Sequence, residues 1–215
     1  MRNHRVCTFI TLLALLVGSG TVSPVGGQTA PASPATASDA PSVENVDLPS
    51  SLVTMVEWAV DLFAEAGLEL PSLRFVHHGD DPDACNGKPG LHRVVDGVSH
   101  INICTSEPSF PTRAMILHET AHAWADHSLS RERKADFQQL RGWDHWLDYQ
   151  AADWFENGSE QAAEIMVWGL LDRPIRIITI EQNSCQELDA GYRVLTGSAP
   201  LHGFRDLCES RAVAA

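Results

Sequence analysis

Within Arg113-Ala-Met-Ile-Leu-His118-Glu119-Thr-Ala-His122-Ala-Trp-Ala125, two histidines and a glutamate stand in the order His-Glu-x-x-His. A helix turns roughly 100° per residue, so four residues bring the chain back to nearly the same face. His118 and His122 then project together, one turn apart, as two imidazole ligands of a single zinc ion would. Glu119 lies beside them. It is near enough to take a proton from a water held there and too far round the helix to complete the ligand set. Ala114, Leu117, Ala121 and Ala125 recur with the helical period and set both histidines inside an apolar stripe. Titratable rings on a buried stripe need polar partners or a metal.

A catalytic zinc usually takes three protein ligands and keeps a fourth position for water. Asp126 follows His118 by eight residues, which is about 12 Å along a helix, against zinc bonds of about 2 Å. The third ligand must therefore come from another element. Residues 159–171 predict a helix with Glu160, Glu164, Val167, Trp168 and Leu171 on one stripe, so two carboxylates head an otherwise apolar face. Either carboxylate could serve; the plainer role for both is that of first-turn glutamates stabilised by the helix dipole.

The pattern resembles the gluzincin class of zinc metallopeptidases, which use His-Glu-x-x-His and a glutamate from a later helix. In that class an acidic residue often follows the glutamate ligand by four positions and orients a zinc histidine, and Glu160-Gln-Ala-Ala-Glu164 has that spacing. The resemblance runs from Arg113 to Leu171. It implies one Zn2+ held by His118, His122 and Glu160, with Glu164 as orienter or alternative ligand, Glu119 as general base, and a peptide or protein substrate. It also implies a substrate-binding edge strand just before the active helix, in the position of Val98, Ser99, His100, Ile101, Asn102 and Ile103. Two departures stand out. The histidine or tyrosine that such enzymes use on the transition state has no clear counterpart, Tyr149 and His145 being the oxyanion donors on offer. The H-x-x-G-x-x-H continuation of metzincins is missing, since Ala-Trp-Ala-Asp follows His122.

The elements that must position these residues are readable in outline. Leu52 to Leu68 predicts an amphipathic helix ending at Gly67, and Leu73 to His77 a short strand. Leu91–Val95 and Val98–Cys104 flank Asp96-Gly97, the dipeptide of a two-residue type I′ hairpin. His92 and His100 on its arms read as surface or hydrogen-bonded histidines. Pro111 suits the first turn of the His118 helix. Ser130 caps a helix over 131–141 closed by Gly142. Trp143, Trp146, Tyr149, Trp154 and Phe155 follow without helical regularity and form packing, or a wall, over the active helix. Ile175 to Ile180 predicts a strand or extended segment. Asn183 with Gln186 predicts a capping box opening a helix to Thr196, closed by Gly197.

Arg2 and Arg5 precede the apolar run Val6–Val17, which is too short to span a bilayer comfortably, so residues 1–20 read as an export signal or, left uncleaved, an N-terminal anchor. Residues 21–47, rich in Pro, Ala, Ser and Thr, have too little apolar surface to offset their ordering entropy and read as a disordered tether. Residues 48–215 are the size of one domain. Cys85, Cys104, Cys185 and Cys208 suggest two disulfides in an exported protein, paired locally as Cys85 with Cys104 and Cys185 with Cys208. The net charge of -13 argues against nucleic acid or an anionic membrane as partner; oligomeric state is not encoded legibly.

The expectation is an α+β domain, with a small antiparallel sheet packed on several helices, acting as a secreted or extracytoplasmic zinc peptidase. Two other readings compete. One is a secreted, non-catalytic zinc-containing binding or inhibitory module in which His127 or His145 fills the fourth position; the other is a zinc amidohydrolase acting on a non-peptide substrate.

Overall fold

Asp96 and Gly97 adopt φ of 50° and 80°, the left-handed values of a type I′ turn. They join two antiparallel strands, Gly90–Val95 and Val98–Ile103. These are β3 and β4 of a chain whose elements run β1 (Val43–Val46), α1 (Ser50–Glu65), β2 (Leu73–His77), β3, β4, α2 (Phe110–Ser128), α3 (Arg131–Arg141), α4 (Gly158–Leu170) and α5 (Cys185–Thr196). The computed structural model describes residues 41–79, 81, 83–147 and 156–203, all within the unit Asp39–Ala215. Tyr149, Trp154, Phe155 and Cys208 lie outside the described residues, as do residues 1–40.

The fold is α+β, but the sheet is mixed and not antiparallel. Its order is β1-β2-β4-β3, with β1 parallel to β2, β2 parallel to β4, and only β3 antiparallel. α1 connects β1 to β2 as a crossover, which returns the chain to the end where it began and forces the parallel pairing. Val43–Val46 is thereby a strand, although composition alone assigns it to the tether. Its backbone finds partners along β2, and composition cannot register that.

α1 buries Leu52, Val56, Ala59, Leu62 and Phe63, the stripe expected of an amphipathic helix. Phe63 meets Trp124 of α2, the ring centroids 6.5 Å apart. α2 opens as its sequence demands: Ser109 accepts from the Thr112 amide at 3.4 Å, and Pro111 lies in the first turn. The cap of α5 falls one residue later than Asn183. Ser184 and Glu187 form the reciprocal box, while the Asn183 side chain donates to the Ile180 carbonyl at 2.9 Å.

α4 is the most enclosed helix. Every residue but Glu164 is buried, so it is wrapped on all sides instead of resting one face on the core. Burying Ile165, Met166 and Leu170 contributes roughly 1.5–3 kcal/mol each, which offsets the cost of enclosing polar Glu160 and Gln161 at its start. Gly169 lets α5 come close, because a Cβ there would lie 2.2 Å from the Tyr192 ring. Arg141, at the end of α3 and 2% exposed, fixes the opening turn of α4. Its Nε and Nη2 donate to Gln161 Oε1 at 2.9 and 2.6 Å, and its Nη1 to the Gln182 carbonyl at 2.8 Å.

Cys85 and Cys104 are joined by a disulfide, as their local spacing suggests, tying the loop before β3 to the end of β4. Cys185 is also disulfide-bonded. No helix among the described residues is long and apolar enough to cross a membrane.

Candidate metal centre

The helical period brings His118 and His122 to one face of α2, and the packing of α4 across that face brings Glu160 to both. Nε2 of His118 lies 3.1 Å from Nε2 of His122 and 3.2 Å from Glu160 Oε2, and Nε2 of His122 lies 3.2 Å from Glu160 Oε1. The ligand atoms of these three residues fall within 4.8 Å of one another. Tetrahedral zinc with bonds of about 2.0–2.1 Å holds its ligand atoms about 3.3 Å apart, so the spacing fits a metal with little adjustment. Two imidazoles and a carboxylate also match the ligand chemistry of zinc, though not of zinc alone. The group could hold a metal ion.

The other ring nitrogen of His118, Nδ1, faces Glu164 Oε1 at 3.3 Å. Three carboxylates, Glu119, Glu160 and Glu164, thus surround His118. Burial works against a charged ring, but hydrogen bonds to Glu160 and Glu164 and the charges of Glu119 and Glu164 outweigh it, raising the imidazole from 6.5 to about 10. Burial likewise works against the Glu160 carboxylate, yet the two histidines hold it well below the usual range. The cluster therefore calls for positive charge at its centre, which a proton supplies in the metal-free protein and a divalent cation would supply otherwise.

Glu119 faces β3. It is 9% exposed, and its Oε2 accepts from the backbone amide of His92 on β3 at 2.8 Å. The His92 ring lies parallel to that of His122, centroids 6.3 Å apart, with its Nδ1 3.8 Å from Asp126. Burial and the neighbouring His122 hold this ring low, at about 4, with Asp126 only partly opposing. His92 is thus the hydrogen-bonded neighbour expected of it and not a member of the candidate metal group, while its peptide touches Glu119.

These residues line a cleft of about 1050 Å3. It is lined by β3, by α2 with His118, Glu119 and His122, by α4, and by the segment 175–179. Val94, Leu147 and Ile178, 55%, 42% and 76% exposed, border it, alongside the exposed charged side chains of Arg93, Asp126 and Arg176.

Several expected placements change. Val98–Ile103 is not an edge: β4 is bonded to β2 on one side and β3 on the other, leaving it no free backbone groups for a further chain. The open edge beside the cleft is β3, because the hairpin folds its first arm outward. His145 does not line the cleft, and neither it nor His127 belongs to the metal group; Tyr149 lies outside the described residues. Trp146 does line the cleft, packed edge-on to Phe137 at 6.1 Å. Sequence reasoning missed the His92 amide, the wall at 175–179 and Ser159, whose buried Oγ has no hydrogen-bond partner among the described residues. The hairpin was the only signal for the first, and backbone donors leave no mark in residue type.

Comparison with known protein families, with curated proteins and with solved structures finds no match to this chain.

Proposed function

We propose that the protein is an extracytoplasmic zinc peptidase of gluzincin type, with the metal held by His118, His122 and Glu160, His118 oriented by Glu164, and Glu119 as general base. The observation that carries this reading is the meeting of His118 Nε2, His122 Nε2 and the Glu160 carboxylate in a cleft, with a separate carboxylate, Glu119, alongside. Zinc bound there supplies Lewis acidity, polarising a carbonyl and lowering the pKa of water to about 7. Glu119 takes the proton of the attacking water and returns it to the amine that leaves. Glu164, hydrogen-bonded to the far nitrogen of His118, fixes which ring nitrogen faces the metal. The free edge of β3 offers backbone groups to an extended chain, which favours a peptide over a compact non-peptide amide.

A purely structural metal site is less well supported. Among the described residues no fourth His, Cys, Asp or Glu joins the group, and structural zinc sites fill all four positions with protein ligands. The disulfides and the Arg-led apolar N-terminus support an extracytoplasmic location. The test is metal analysis of the purified chain with cleavage of a peptide library. Stoichiometric zinc and chelator-sensitive hydrolysis that disappears in Glu119→Gln are expected; hydrolysis that persists without metal would refute the proposal.

A further inference from the structure

In an antiparallel pair, backbone groups alternate between pointing at the partner strand and pointing away. The Pro89 carbonyl accepts from the Cys104 amide at 2.9 Å, which makes Gly90, opposite Ile103, a residue whose own amide and carbonyl point away from β4. The same holds two and four positions on, at His92 and Val94, opposite Ile101 and Ser99. Such groups on an edge strand ordinarily meet water or a second chain. The His92 amide meets Glu119 instead, donating to Oε2 at 2.8 Å.

Gly90 acts on the same side chain. Its φ is not positive, so the backbone there does not require glycine; the space does. A Cβ at Gly90 would lie 3.0 Å from Glu119 Cγ and 2.2 Å from Met115 Sδ. The stem of Glu119 is therefore packed against one peptide of β3 while its carboxylate is hydrogen-bonded to another. A free glutamate samples many rotamers, and ordering it before the reaction removes that entropy from the barrier.

We infer that the His92 peptide N–H and Gly90 are positioning groups for Glu119, and that an extended substrate on the β3 edge pairs through the outward groups of Gly90 and Val94, because the His92 amide is already engaged. The kinetic side rests on the hydrolytic function proposed above; the hydrogen bond stands independently of it. With one amide committed to Glu119, the outward amides left to a bound chain are those of Gly90 and Val94, two residues to either side.

Amide hydrogen exchange followed by NMR on the full chain tests the contact without reference to turnover. The His92 amide is expected to exchange at least about tenfold more slowly than that of Val94, which also points outward, and to lose that protection in Glu119→Ala. A His92 amide as labile as Val94, or protection that survives Glu119→Ala, overturns the inference. The kinetic arm uses Gly90→Ala and replacement of His92 by its α-hydroxy analogue, which exchanges the N–H for an ester oxygen and keeps the imidazole. Both are expected to lower kcat about 10- to 100-fold, with zinc content full and KM within about threefold. A merely structural role would lower zinc content or folded fraction, and an unchanged kcat in the ester variant overturns the positioning role. Undiminished hydrolysis by Glu119→Gln would instead refute the base assignment, a separate outcome.

Discussion

The two sides of the His118–His122 pair are held by different physics. On the α4 side, ionisable groups grip one another: Glu160 meets both imidazoles and Glu164 meets the far nitrogen of His118. On the β3 side, Glu119 is gripped by a peptide amide, which neither titrates nor moves independently of its strand. On the function proposed above, the first arrangement would exchange a proton for a metal, and the second would hold Glu119 at a fixed distance from that exchange. Metal affinity and proton transfer can therefore be perturbed separately, and separating them is the sharpest test of the contrast.

The largest effect is expected from Glu160→Ala, which removes the carboxylate that α4 brings to the histidines and should weaken zinc binding by roughly a thousandfold or more, given the energies of protein zinc sites; competition against a chromogenic chelator measures it. Glu119→Gln should lower kcat by about 10² to 10⁴ with zinc stoichiometry unchanged in metal analysis. Loss of zinc from Glu119→Gln would break the comparison, because the two sides would then not be separable. Glu164→Gln should weaken zinc by about 10- to 100-fold, as expected for a group that orients a ligand; a deficit as large as that of Glu160→Ala would exchange their roles.

The smallest effect concerns protons. In the metal-free protein the His118 imidazole is raised from 6.5 to about 10, so it is protonated at pH 7 and must lose that proton to bind zinc. Zinc binding at pH 7 should therefore release about one proton, read by calorimetry in buffers of different ionisation enthalpy, and affinity should climb with pH until about 10. The stability that this charge lends the metal-free protein runs the other way. It is complete below 6.5 and lost as pH rises through about 10. Glu160, held below its ordinary 4.5, adds stability above that pH and loses it as pH falls further.

Local rules made much of the chain legible. The turn at Asp96-Gly97, the Ser130 cap and the Gly142 and Gly197 helix ends depend on residues within a few positions of one another, and each lies where residue type put it. The cap at Ser184 slipped by one because Asn183-x-x-Gln186 and Ser184-x-x-Glu187 offer the same signal in adjacent registers. β1 was missed for the opposite reason: four residues in a polar stretch become a strand only through pairing with β2, thirty positions away.

The candidate metal site divides along the same line. His118, Glu119 and His122 sit within five residues of one helix, so the helical period alone fixed that both histidines share a face and that the glutamate lies beside them. Glu160 could be singled out as a carboxylate on an apolar stripe, yet its reach to both imidazoles depends on how α4 crosses α2, forty-two residues on. Which strand lies open beside the cleft was beyond local reading altogether. A hairpin has two arms of equal standing in sequence, and only the parallel pairing of β2 with β4 made β3 the edge that holds Glu119. Residue type and spacing determined the chemistry available; long-range packing decided which backbone and which carboxylate it meets, because those contacts are set by the order of elements in space.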